Sequence, residues 1–464
     1  MKAGTAKRTI TPDKDRVVVF GQMSRGTVKD IQARCLVLND GKRRMVIVTY
    51  DLNCLDVATP ILRERCEDEL GIGTGYFVPL ATHNHNAPIQ IVPGNFDYGR
   101  WLADTIFDMI QQAIANEQDG VKLRFGHGQG YFARCVGSTA VDYEIQLLGA
   151  YKDGKPLAVL FTHPVHPLQG TEFGVEPGHP GYACELLEER LPGCLALYAD
   201  ACGGNQYPVE LPGDGGPMDA AVQLGAYLAD MVRGLASGVM FDVTGDLHST
   251  FDIVSLPLVD PISHDEAKTL ANEAQCEKLR VPYPDDHRPT NWIRVLLHYH
   301  ENNLPFPKRL DELVCTDEGF LVREDEFPDN RRYPCRYEEV IVSRIGPMAF
   351  VAMQGEVCAP IGMRIKDAFR QYFPIMVTAY MGEHNLYIPT RELVRQNAYQ
   401  AQVLQIQYGC PVGFDPDVED VMTNAVTAKI REVMDHRQQE LFEQHYLAVR
   451  RGRAFTDNPW TIPS

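Results

Sequence analysis

The sequence predicts an α/β fold, with mixed β-sheets covered by helices, as a single large domain over residues 1–464. Three observations carry that expectation. Short runs of β-branched and aliphatic residues recur along the chain, each bounded by turn residues. Between them lie stretches with apolar residues at helical spacing. Several runs are joined by hairpin turns, which break the strict strand–helix–strand rhythm of an all-parallel sheet.

In chain order, Gln32 to Leu38 and Met45 to Thr49 read as strands joined by the turn Asn39-Asp40-Gly41. Val57 to Glu69 reads as a helix whose start Pro60 sets near itself, and Tyr76 to Ala81 as a strand ending at Thr82-His83. Trp101 to Asn116 is an amphipathic helix, because Leu102, Ile106, Ile110 and Ile114 recur at helical spacing. Asp142 to Leu148 and Pro156 to Phe161 form the next strand pair, around Lys152-Asp153-Gly154. Tyr182 to Arg190 reads as a helix, Cys194 to Tyr198 as a strand, and Met218 to Leu235 as a long amphipathic helix.

The region of about 241–340 is less regular, with many prolines, the acidic run Glu324-Asp325-Glu326 and one helix near 265–279. A strand pair returns over Glu339 to Gln354, split by the turn Gly346-Pro347. A helix near 363–372, the strand Ile375 to Ala379 and long helices near 391–405 and 419–441 complete the chain. No internal repeat is visible. Neither GxGxxG nor GxxxxGK[ST] follows a first strand, which disfavours a nucleotide-binding fold.

Charge and composition narrow the function. The 44 basic and 62 acidic residues leave a net charge of -18, a field that disfavours nucleic acid and anionic lipid surfaces. A local exception for an acidic small molecule stays open through Arg25, Arg34, Arg100 and Arg134. No apolar run reaches the ~20 residues of a membrane span, so no stable membrane insertion is expected. The start has no apolar signal region and the twelve cysteines form no CxxC pair. We therefore expect free thiols and a cytoplasmic location.

Chemistry concentrates where apolar strands end. Ala81-Thr-His-Asn-His-Asn-Ala-Pro88 carries His83 and His85, and Phe161-Thr-His-Pro-Val-His-Pro167 carries His163 and His166. His179 follows in Gly178-His-Pro-Gly181. Imidazoles closing apolar strands are poor core residues and good ligands for zinc-type metals. On an extended strand, residues two apart face opposite sides, so unless the strand end bends, one of His83 and His85 is expected to ligate and the other to face substrate or to stand behind the ligands. Asp51 and Glu356 each follow a strand and are candidate carboxylates. Tyr387, with Glu383, His384 and Asn385 nearby, offers a phenol for metal ligation or proton donation. The turn Gly203-Gly204-Asn205-Gln206-Tyr207 has backbone N–H groups that could contact a ligand. Cys202, just before it, reads as buried.

Taken in order, these segments resemble the N-terminal catalytic domain of the neutral/alkaline, non-lysosomal ceramidase superfamily. The resemblance runs from Ile10-Thr-Pro12 and Gly21 through ARCLVL at 33–38 and Thr49-Tyr-Asp-Leu52. It continues through THNHNAP at 82–88 and FTHPVHP at 161–167 to QGEVCAPIG at 354–362 and YIPT at 387–390. It implies one catalytic zinc held by His83, His166, Glu356 and Tyr387, with His85 near the attacked carbonyl. Three residues depart from the family pattern. Tyr207 stands where the family has its active serine, Asn205 replaces an aspartate, and His179 replaces another.

The function expected is therefore hydrolysis of an amide or ester of a small polar substrate by zinc-activated water. His85, His163 or His179 would move the proton, and Tyr387 would help hold developing charge. Gly204, Asn205, Gln206, Tyr207 and Arg134 would contact substrate. The competing expectations are a non-catalytic binding member of the same fold and a true ceramidase-like amidase, with His179 in a second metal site as a further variant. A homo-oligomer stays open, because long helices pack between subunits as readily as within one.

Overall fold

A computed structural model describes residues 1–18, 22–90, 93–138, 140–168, 170, 173–209, 216–272, 291–306, 313–316, 319–322, 334–382, 386–406, 410–440 and 443–444. Within them the fold is α/β, with mixed sheets covered by helices. The hairpin Gln32–Asn39 and Arg44–Tyr50 forms where the turn residues dictate. Gly41 takes φ +92°, while the Asn39 and Asp40 side chains accept hydrogen bonds from the amides of Gly41, Lys42 and Arg43.

The same run of elements then occurs three times, in contrast to the expectation of no internal repeat. Each unit has an outer strand, an antiparallel hairpin, a helix, a strand returning parallel to the hairpin, and a covering helix. In the first unit these are Lys2–Thr9, Gln32–Asn39 with Arg44–Tyr50, Ala58–Leu70, Phe77–Ala81 and Phe96–Ala115. In the second they are Lys122–Gln129, Glu144–Lys152 with Lys155–Thr162, Gly178–Arg190, Leu195–Tyr198 and Pro217–Ala236. In the third they are Leu247–Pro257, Cys335–Ile345 with Met348–Met353, Ala359–Phe369, Ile375–Thr378 and Val418–Val433. The repeat is hidden because a strand's backbone asks only for a pattern of apolar side chains, which many sequences satisfy. Inserted segments of unequal length also separate the outer strand from the hairpin in each unit.

The inner faces of the three sheets share one core, in which Leu36, Ile47 and Leu80 meet Leu148, Leu160 and Leu197, and Ile341, Phe350 and Met376. The outer faces lie under the helices, as with Leu102, Ile106 and Ile110 of Phe96–Ala115. The parallel strands end at one place, where three peptide hydrogen bonds close a ring. The Ala81 amide donates to the Tyr380 carbonyl at 3.0 Å, the Asp200 amide to Ala81 at 3.4 Å and the Ala379 amide to Asp200 at 3.0 Å. That ring fixes the strand ends, and hence the loops that leave them, relative to one another.

Several boundaries differ from the sequence expectation. The first helix begins at Ala58, ahead of Pro60, since proline is tolerated in a first turn. Gly178–Arg190 starts early enough to put His179 in its opening turn. The segment near 391–405 is two helices, Arg391–Arg395 and Tyr399–Ile406, parted at Asn397 with φ +50°. The expected helix near 265–279 is described as His264–Asn272, and its remainder lies outside the described residues. Among the described residues, no helix is long and apolar enough to cross a membrane.

Candidate metal centre

Each unit sends a loop from its hairpin and another from its parallel strand toward the ring of peptide bonds. The first unit supplies His83 and His85, the second His166 and the Gly203–Tyr207 turn, and the third Glu356, Tyr380 and Tyr387. Glu356 and Tyr387 are register partners in the short parallel ladder Glu356–Val357 with Tyr387–Ile388.

The backbone at His83 decides the geometry. Its φ is +57°, a left-handed conformation that costs a non-glycine residue energy. The kink is held on both sides: the Thr82 amide donates to the Tyr50 carbonyl and the Asn84 amide to that of Leu52. The Asn84 side chain donates to the carbonyls of Asp51 and Glu176. This bend corrects the expectation that His83 and His85 face opposite sides, because strand alternation ends where the strand does. The three Nε2 atoms instead converge, with His83 2.9 Å from His166 and 3.1 Å from His85. Glu356 Oε2 lies 3.2 Å from His83 Nε2 and 3.5 Å from His166 Nε2.

These spacings suit a metal. Two donors at tetrahedral angles on one zinc stand about 3.3 Å apart. The outer edge of the His83 ring meets the Asn53 backbone and lies 3.2 Å from the Asn53 side-chain amide nitrogen, and His166 Nδ1 lies 3.5 Å from the Gly203 carbonyl. The Gly203 carbonyl only accepts, so the proton of His166 belongs on its outer nitrogen and its Nε2 lone pair points inward. Glu356 Oε2 is buried with no hydrogen-bond partner. Burial holds His83 and His166 down to about 3, and His85 well below its usual value, which keeps these imidazoles neutral as metal ligation requires. Burial pushes the Glu356 carboxyl up to about 7, against the opposing pull of His166 and a hydrogen bond from Tyr387.

His83, His85 and His166 thus form a group able to hold a metal, the one such group among the described residues. His85 joins it beyond the ligand set expected from resemblance. Tyr387 lies alongside, its ring parallel to that of His166 at 6.2 Å. Tyr207 is half-buried, 5.3 Å from the His166 ring, and hydrogen-bonds with Tyr387 and Gln400. The Tyr380 ring packs on His83 at 4.3 Å, from a residue that is itself left-handed at φ +56°. Tyr380 was not singled out from sequence, and the strand end just before it was the available signal.

Other expected site residues lie apart from this group. His163 is fully buried against Phe132, with Nε2 3.0 Å from the Gly130 carbonyl. His179 is fully buried edge-on to Tyr198, with neither ring nitrogen hydrogen-bonded. Asp51 is tied to Arg34 at 2.8 Å, both fully buried. Gly204, Asn205 and Gln206 spend their polar groups on the chain itself. The Gly204 amide donates to Val357, and a Cβ there would collide with the Glu356 carbonyl. Asn205 Oδ1 accepts from the Ala359 amide, and Gln206 Nε2 donates to Pro164. These three residues therefore brace the Glu356 and His166 loops. Cys202 is buried as expected, and burial pushes its thiol up. Glu383, His384 and Asn385 lie outside the described residues.

No family model matches the chain, and no curated protein matches it in sequence. Solved structures do match. The neutral ceramidase of Pseudomonas aeruginosa superposes with a TM-score of 0.67 at 17% identity, over 94% of this chain and 75% of that one. A ceramidase complexed with C2 gives 0.68 at 18% identity, over 93% and 75%. At this identity the likeness establishes the fold, which is that of these ceramidase structures.

Proposed function

We propose that the protein is a metal-dependent hydrolase that cleaves an amide or ester bond in a small molecule. The observation that carries this reading is the convergence of three Nε2 atoms and one carboxylate oxygen with no lysine or arginine among them. Neutral imidazoles with one carboxylate favour zinc over magnesium or calcium. The ceramidase name of the structural neighbours directs the reaction toward an acyl bond. A zinc held by His83, His85, His166 and Glu356 would supply Lewis acidity for a carbonyl and make water more acidic.

The chain's own groups account for the rest. Asn53 and the Gly203 carbonyl orient the rings of His83 and His166. Tyr387 spends its phenolic proton on the Glu356 carboxylate, and Tyr207 places a phenol on the side of His166, where it can hydrogen-bond an acyl oxygen as negative charge grows on it. The half-buried His85 and Tyr207 mark where solvent and substrate reach the centre. Ten of the cysteines are free thiols, which fits a reducing, cytoplasmic setting.

Replacing His83 tests the proposal. His83→Ala is expected to lose stoichiometric zinc, measured by elemental analysis, together with turnover across an amidase and esterase panel. Full turnover by metal-free His83→Ala protein would refute it.

A further inference from the structure

The class of molecule taken by this centre follows from one arginine, and the inference rests on the hydrolase reading above. The net charge of -18 repels anions from the surface as a whole, so an anionic ligand needs a local cation. Arg34 is spent on Asp51. The Arg25 guanidinium lies over the Phe173 ring at 5.2 Å. Arg100 sits on the helix covering the outer face of the first sheet. Lys366 is buried between Asp142 and Glu144, at 2.6 and 2.7 Å.

Arg134 differs from all of these. It is exposed and has no ion pair or side-chain hydrogen bond among the described residues. It lies on Ala133–Cys135, antiparallel to Gln206–Pro208, with Tyr207 as its register partner. Directly opposed residues project from the same face of a ladder. The guanidinium accordingly lies 5.5 Å from the centre of the Tyr207 ring, which in turn lies 5.3 Å from the His166 ring. Metal ligand, phenol and cation thus make one line of successive contacts that ends at the exposed Arg134.

We infer that the substrate carries a carboxylate, held by the Arg134 guanidinium at the outer end of this line while its acyl bond lies at the three-histidine centre. A guanidinium offers a planar fork that matches a carboxylate. Arg134 is the one cation in the stretch from 129 to 143, and the 203–209 turn has none. A single positive charge balances a carboxylate and leaves a phosphate dianion half-neutralised.

The test uses the zinc-loaded full chain and two probes that share one amide, N-acetylphenylalanine and N-acetylphenethylamine, which lacks the carboxylate. Calorimetry is expected to give binding of the carboxylate probe about 10- to 100-fold tighter, the worth of one charge-assisted contact. Arg134→Met should bring that ratio to about one, and Arg134→Lys should keep part of it, with zinc content confirming an intact site in both. Equal binding of the two probes by the unaltered protein, no binding of the carboxylate probe, or an unchanged ratio in Arg134→Met would each overturn the inference. Tighter binding of the matching phosphonate than of the carboxylate would also overturn it. Hydrolysis without carboxylate preference removes this inference alone, whereas preference without any hydrolysis removes the hydrolase reading alone.

Discussion

Asp51 and Glu356 hold comparable places in the first and third units, yet they have opposite electrostatic fates. Each carboxylate follows the second strand of its hairpin and is buried near the ring of strand ends. Asp51 is neutralised within its own unit by Arg34, which pairs with Thr49, the penultimate residue of the neighbouring strand. At the matching register the third unit has Ile341 opposite Ala352, and the second has Leu147 opposite Phe161. Glu356 therefore has no cation from its own strand and faces two imidazoles instead. The lesson is that a buried carboxylate matched by the chain is architecture, whereas one left for an outside cation marks a site.

Three substitutions would break or sharpen that contrast. Arg34→Met should have the largest effect, a loss of about 3–5 kcal/mol in urea unfolding, because it strands a buried Asp51. Arg34→Met with Asp51→Leu should regain much of it. Zinc stoichiometry of the folded protein should stay at the unaltered level in both, and loss of zinc would show that the two carboxylates are not separate in role. Glu356→Gln should do the reverse. Zinc affinity, followed by competition with a chelator, should fall about 100-fold. The metal-free protein should be no less stable, since the amide removes a buried carboxyl at little change in shape.

The smallest effect concerns His179, a buried imidazole outside the centre. Its group titrates at 6.5 when free and is held down to about 3 by burial in the fold. Between those values the unfolded chain binds one proton more, so stability from neutral His179 is complete above about pH 6.5 and is lost as pH falls toward 3. In the metal-free protein, His179→Gln should flatten the pH dependence of stability near pH 5 by about 1.4 kcal/mol per pH unit. An unchanged slope would mean that His179 takes up its proton without unfolding.

Much of the architecture was legible in the sequence. The hairpins around Asn39-Asp40-Gly41, Lys152-Asp153-Gly154 and Gly346-Pro347 form as read, because turn residues act locally. The helices Phe96–Ala115 and Pro217–Ala236 follow from their apolar spacing. His83, His166 and Glu356 are legible in the sequence as polar residues that follow apolar strands. The threefold repetition was not legible, since it resides in strand pairing between segments far apart in the chain. Nor was the place of Gly204 and Asn205, whose hydrogen bonds go to the third unit, or of Gln206, which bonds to Pro164 far back in its own unit.

The sequence by itself determined which elements form and which of their ends carry imidazoles and carboxylates, because strand, helix and turn preferences act over a few residues. Tertiary structure alone decided that His85 turns in beside His83 and His166, that Asp51 is spent on Arg34, and that Arg134 lies beside Tyr207 with no ion pair among the described residues. Those outcomes depend on a left-handed backbone at His83 and on partners that lie far apart in the chain, His166 coming from another unit and Arg34 and Tyr207 from distant stretches of the same one.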